Sequence, residues 1–104
     1  MAAESRVVLY SATATGNGTW IYAGQFNVPL SILFEGTFGT DSFQIMVKND
    51  DTIPADATDG VNYGAAVTVV GFKAVTETYK WIKVKKTAGT AAITVTLFAQ
   101  LVHG

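Results

Sequence analysis

Leu30-Ser31-Ile32-Leu33-Phe34-Glu35-Gly36 and Phe43-Gln44-Ile45-Met46-Val47-Lys48 are the two stretches that decide the fold. In each, apolar side chains recur at every second position: Leu30, Ile32 and Phe34 in the first, Phe43, Ile45 and Val47 in the second. A period of two places them on one face of an extended strand. The stretch ending at Val102 repeats the pattern. Ile93, Val95, Leu97, Ala99 and Leu101 fall on one side, and Thr94, Thr96, Phe98, Gln100 and Val102 on the other.

Working outward, the same signature predicts strands over Arg6 to Thr13, Trp20 to Phe26, Leu30 to Gly36 (entered through Val28-Pro29), Phe43 to Lys48, Ala65 to Ala74, Tyr79 to Thr87 and Ala92 to Val102. Turn-forming clusters separate them: Thr15-Gly16-Asn17-Gly18, Gly39-Thr40-Asp41-Ser42 and Thr87-Ala88-Gly89-Thr90. No segment carries helical spacing over three turns. The expectation is an all-β chain, a single antiparallel β-sandwich domain over residues 1–104 with about seven to eight strands. Residues 1–5 are expected to form a flexible or partner-bound arm. Strand count leaves jelly-roll-like and immunoglobulin-like orders both open.

Composition bears on what such a domain does. Charged residues make up 14% of the 104, against roughly 25% in an average globular protein. So few charges leave large neutral areas on a free monomer, which suits a protein that buries surface against partners. The net charge of −1 supplies no field toward nucleic acid or anionic membrane. No apolar run reaches the ~18–20 residues of a membrane-spanning helix. Met1 to Tyr10 lacks the basic and long apolar regions of a secretory signal, so synthesis in a cytoplasm is expected. The absence of cysteine removes disulfides, thiolate metal sites and cysteine nucleophiles together.

The catalytic inventory is nearly empty. The one histidine is His103, and with no cysteine or second histidine the usual nucleophile–base pair cannot be assembled. Ser5, Ser11, Ser31 and Ser42 sit in no strand–turn–helix elbow. Nothing in the spacing of Glu35 and Glu77 sets them across a cleft as an acid pair. Asp50, Asp51, Asp56 and Asp59 crowd the one long connection, Asn49 to Gly64, but lack the alternating ladder and distal Glu of a helix-loop-helix calcium site. A solvated turn is the simpler reading, and no metal or cofactor is expected. Gly16-Asn17-Gly18 opens no helix and reads as a hairpin turn.

The remaining features point to contact. By alternation Tyr79, Trp81, Lys83 and Lys85 share one face of the sixth strand, a row suited to docking on an acidic protein surface or to guarding an edge. Leu33, Met46, Val67, Val69, Trp81, Phe98 and Val102 fall on faces that should point away from the core. Apolar residues so placed mark an interface, unless a loop folds over them. The interface candidates are therefore Leu33, Met46, Val67, Val69, Tyr79, Trp81, Lys83, Lys85, Phe98 and Val102. An aromatic sugar platform built from Trp20, Tyr22, Tyr63 or Trp81 is the alternative.

Ser31-Ile32-Leu33-Phe34-Glu35-Gly36-Thr37-Phe38-Gly39 followed by Phe43 to Lys48 resembles a hairpin of small β-sandwich virion proteins of tailed bacteriophages. Tyr79-Lys80-Trp81-Ile82-Lys83-Val84 and Ala88-Gly89-Thr90-Ala91-Ala92-Ile93-Thr94-Val95-Thr96 are similar to their closing hairpin. The resemblance runs from Leu30 to Ala99 and leaves the acidic loop unmatched. It implies a capsid decoration (cement) protein, or a head or tail fibre module, with no catalytic residues. The implied partners are further copies of the chain, as a trimer, and the phage major capsid protein. The implied location is the virion, after assembly in the host cytoplasm.

Overall fold

A computed structural model describes residues 4–101, with side chains described from 5 to 100. Among these residues there are nine strands: β1 (Glu4–Ala12), β2 (Gly16–Asn17), β3 (Ile21–Tyr22), β4 (Phe26–Glu35), β5 (Ser42–Lys48), β6 (Val61–Asn62), β7 (Gly71–Val75), β8 (Trp81–Ala88) and β9 (Ile93–Leu101). A single 3-10 turn, Ala23–Gln25, leads into β4. The first sheet has the order β1-β9-β4-β7. The second has the order β2-β8-β5-β6, with β3 also on β8. All the named pairings are antiparallel.

The pairings settle the topology. β2 and β3 both pair with β8 and act as one interrupted strand, which reduces the nine to eight. In that count the first strand pairs with the eighth, the second with the seventh, the third with the sixth and the fourth with the fifth. This is one long hairpin. Wrapping it brings β9 onto β4 and β8 onto β5, which divides it into two facing sheets in the jelly-roll order. The immunoglobulin-like alternative is thereby set aside.

The alternating side chains fill the space between the sheets. Ile32, Phe34, Val75, Val95 and Leu97 enter from the first sheet and Phe43, Ile82 and Val84 from the second, all fully enclosed. Phe43 is the hub, with the rings of Phe34, Tyr10 and Phe38 centred 5.5, 5.7 and 6.0 Å from its own. A bulge between Val8 and Tyr10 puts one extra residue into β1, and through it both Leu9 and Tyr10 are buried.

One end of the core is closed by an ion pair. Lys86 lies 3.1 Å from Asp41, and neither side chain is more than 1% exposed. Lys86 Nζ also donates to the carbonyls of Thr13 and Ala91. Asp41 accepts from the Gly39 and Ala91 amides. The Gly39 amide foremost, with Lys86 and the Ala91 amide, holds the Asp41 carboxyl below the usual aspartate range despite its burial. Every strong polar atom of the pair has a partner, the condition under which a buried charge pair is tolerated.

Three sequence expectations need correction. Gly16-Asn17 is a strand on β8 and not only a turn. The strand expected over Trp20 to Phe26 is reduced to Ile21–Tyr22, because the chain turns through 23–25 before starting β4. The strand expected over Ala65 to Ala74 is a single bridge, Val67 to Phe43, and then β7. Gly71, with φ of +138°, supplies the backbone bend that separates the two. Of the expected arm, residues 1–3 lie outside the described residues, and β1 already begins at Glu4.

Candidate interaction surface

The two sheets differ in what covers their outer faces. On the second sheet the outward side chains include Met46, Lys83, Lys48 and Trp81, opposed in pairs across β5 and β8. The acidic connection between β5 and β6 folds back over them as a roof. Trp20 is part of it, only 1% exposed. Its indole N–H donates to the Ala55 carbonyl, and its amide to Asp56 Oδ1. Trp81 donates its indole N–H to the Asp50 carbonyl.

Lys83 fastens this roof from beneath. Its ammonium is fully buried and donates to the carbonyls of Asp56 and Thr58, each at 2.7 Å, and to Asn17 Oδ1 at 2.9 Å. Three donors meet three neutral acceptors, and the face of Trp20 lies 4.8 Å away. Burial pushes the Lys83 ammonium below the usual lysine value, outweighing the attraction of Asp59 and Asp56. Further out, Lys85 pairs with Asp59, Lys80 with Asp51 and Lys48 with Asp50. Lys80 holds the Asp51 carboxyl low, and Asp51 raises Lys80 in return. The aspartates of the loop thus answer the lysines of β8 and its neighbours. No group of three or more metal-ligating side chains occurs among the described residues.

Among the described residues, no such roof covers the outer face of the first sheet. In register across it run Val8, Thr96, Leu33 and Phe72. The next row is Arg6, Phe98, Ser31 and Ala74. Phe72 is 63% exposed and Val8 59%, while Leu33 and Phe98 are half-buried. Phe72 and Phe98 touch with ring centres 6.2 Å apart, and the Arg6 guanidinium lies 5.2 Å from the centre of Phe98. Beside Phe98, Val28, Pro29 and Leu30 bulge out of register with β9. The bulge leaves a shallow pocket of about 280 Å³ lined by Asn27, Val28, Pro29 and Phe98 among others. Val69 and Val70, also exposed, lead into β7. This face thus carries exposed apolar side chains interleaved with Thr96, Ser31 and Arg6.

The expected interface residues therefore separate into groups. Leu33, Phe98 and Val69 lie on or next to the bare surface. Met46, Val67 and Lys83 are buried inside the chain and offer no surface to a partner. Met46 and Lys83 lie under the roof, while Val67 is drawn in by its bridge to Phe43. Trp81 and Lys85 are partly covered by the loop, and Tyr79 is half-buried against Tyr63, ring centres 5.9 Å apart. Val102 lies outside the described residues, as does His103. Sequence reasoning missed Val8, Val70 and Phe72. The signal for Phe72 was the glycine before it, which restarts the strand and resets its alternation.

The same architecture is found in a prophage protein. The chain is similar to the SPBc2 prophage-derived protein YomS, known from a crystal structure, with a TM-score of 0.76 at 10% identity, covering 96% of this chain and 95% of that chain. At that identity the likeness is one of fold. No family model matches the sequence, and no curated protein matches it.

Proposed function

We propose that this chain is a structural, non-enzymatic protein of a phage virion, of the capsid decoration type, that self-associates and binds the major capsid protein. One observation carries the reading: among the described residues, the chain roofs one of its sheets with its own loop and leaves apolar side chains exposed on the other. A free monomer gains nothing from exposing Phe72, Val8 and Val70 together, whereas an assembling subunit buries them. The fold-level likeness to a prophage-derived protein is in keeping with a phage setting. The low charge supports neither nucleic acid nor membrane as the partner. The chain would act in the virion after assembly in the host cytoplasm, with a trimer as the expected form.

The test combines solution mass with capsid binding. The expected result is a multimer at micromolar concentration that co-sediments with capsid shells and raises their resistance to heat. A monomer that ignores capsids would overturn the reading.

A second reading, a fibre or lectin-like carbohydrate-binding module, rests on Tyr22 and Trp81. Their rings are centred 5.3 Å apart beside Lys80 and Asp51, and Tyr22 is exposed. Trp20 cannot join that platform, being buried. Glycan binding lost on Tyr22→Ala would favour this reading over the first.

A further inference from the structure

We propose that copies of this chain join head to tail through the first sheet, with β7 of one copy lying antiparallel to the Glu4–Val8 segment of β1 in the next, Phe72 opposite Val8. This rests on the self-association reading above and specifies the surfaces that carry it.

The first sheet has four strands, each antiparallel to its neighbour. An even number makes its two edges run in opposite directions. A second copy placed alongside by rotation about an axis parallel to the strands therefore presents β1 antiparallel to β7, and the alternation continues unbroken. Contacts of this heterologous kind close into rings when the rotation from copy to copy divides a full turn. Both edges have the required length: β7 has five residues, and β1 has five, Glu4 to Val8, before its bulge.

Register follows from the faces. Phe72 and Ala74 point outward on β7, and Arg6 and Val8 on β1. Setting Phe72 opposite Val8 puts Lys73 opposite Val7, Ala74 opposite Arg6 and Val75 opposite Ser5. No like charges meet, and the two most exposed residues of the row Val8, Thr96, Leu33, Phe72 cover each other across the junction. Pairing β7 with itself about a two-fold axis, fully overlapped, opposes Lys73 to Lys73, which is destabilising. A five-residue edge spans only about 17 Å. Exposed Val69 and Val70, immediately before β7, extend the contact toward the ~800 Å² per partner of a stable interface.

Directed disulfides test this cleanly, because the chain has no cysteine. Opposed residues in an antiparallel pair have Cα atoms about 4.5–5.5 Å apart, within disulfide reach. Within one chain Val8 and Phe72 are three strand spacings apart, about 14 Å, out of reach. Chains carrying Val8→Cys and Phe72→Cys are mixed at tens of micromolar and oxidised mildly, with Ile53→Cys on the exposed roof as collision control. The expected result is an 8–72 crosslink forming at least tenfold faster than any crosslink to position 53. A chain carrying both substitutions should give a covalent ladder that closes at one size. If 72–72 or 8–8 products dominate, or 8–72 forms no faster than the control, the head-to-tail arrangement is wrong while self-association stands. If the unsubstituted protein has the mass of a single chain at the same concentration, both are wrong.

Discussion

Replacing Lys83 with Met isolates what one buried cation contributes. The substitution keeps the length and apolar character of the stem and removes only the ammonium. It strands three acceptors, the carbonyls of Asp56 and Thr58 and Asn17 Oδ1. All three belong to exposed residues, so each costs toward the low end of about 1–3 kcal/mol, roughly 3–5 kcal/mol in all. Against this, the variant is spared the several kcal/mol of burying an ammonium. The net expectation is a loss of about 1–2 kcal/mol, or a fall in Tm of roughly 4–16 °C for a chain of this size. The roof should loosen first, so acrylamide should quench Trp20, read in a Trp81→Phe background. A second signature is pH. Burial lowers the folded-state value of Lys83, so the folded protein sheds this proton before the unfolded chain does. The cost of burying the charge is present in full at neutral pH and is relieved as pH rises through the depressed value toward about 10.5. The stability difference between wild type and Lys83→Met should therefore widen with rising pH. A variant melting within about 3 °C of wild type with Trp20 still shielded, or a difference that narrows with pH, would refute the reasoning.

Gly89→Ala should cost about 2 kcal/mol or more by thermal melt, because φ is +94° and the new Cβ would lie 2.5 Å from Asp41 Cα and collide with its carboxylate. Gly60→Ala should loosen the roof, since its Cβ would meet the Val47 carbonyl at 2.5 Å and the Trp20 ring at 2.7 Å. Increased amide exchange over residues 49–60 would report it. On the acid side, Asp41, Asp51 and Glu77 all have lowered values. Gly39, Lys80 and Tyr63 respectively are the leading causes. Their contribution is complete above about pH 5 and is lost as pH falls through about 4 toward the depressed values. Tm should be flat from pH 7 to 5 and drop below that. Lys85→Ala, by contrast, removes a partly exposed pair with Asp59 and should cost less than about 1 kcal/mol.

Much of the sandwich is legible in the sequence, because long strands with one buried face write their period directly. Leu30 to Phe34, Phe43 to Val47 and Ile93 to Ala99 point where alternation puts them. What alternation cannot report is whether the second face of a strand is open or covered by its own chain. Met46 and Trp81 on one sheet and Leu33 and Phe98 on the other look alike as text. Only the path of residues 49–60 distinguishes them. Lys83 and Lys86 are similarly hidden, since lysine is among the residues least often fully buried. The acidic loop reads as a solvated turn, and the cation it surrounds is a lysine of the same chain. Short strands such as Gly16–Asn17 escape detection because glycine there announces a turn.

The place of β9 has a consequence for biogenesis. It is the last of the described strands in sequence, yet it lies inside the first sheet, hydrogen-bonded to β1 on one side and β4 on the other. Until it has been synthesised, β1 has no partner and the interior has one wall missing. The nascent polypeptide must therefore hold its greasy segments apart on the ribosome and collapse only after most of its length has emerged, by slow non-local zippering. A truncation that removes β9 would leave an aggregating remnant and not a smaller domain.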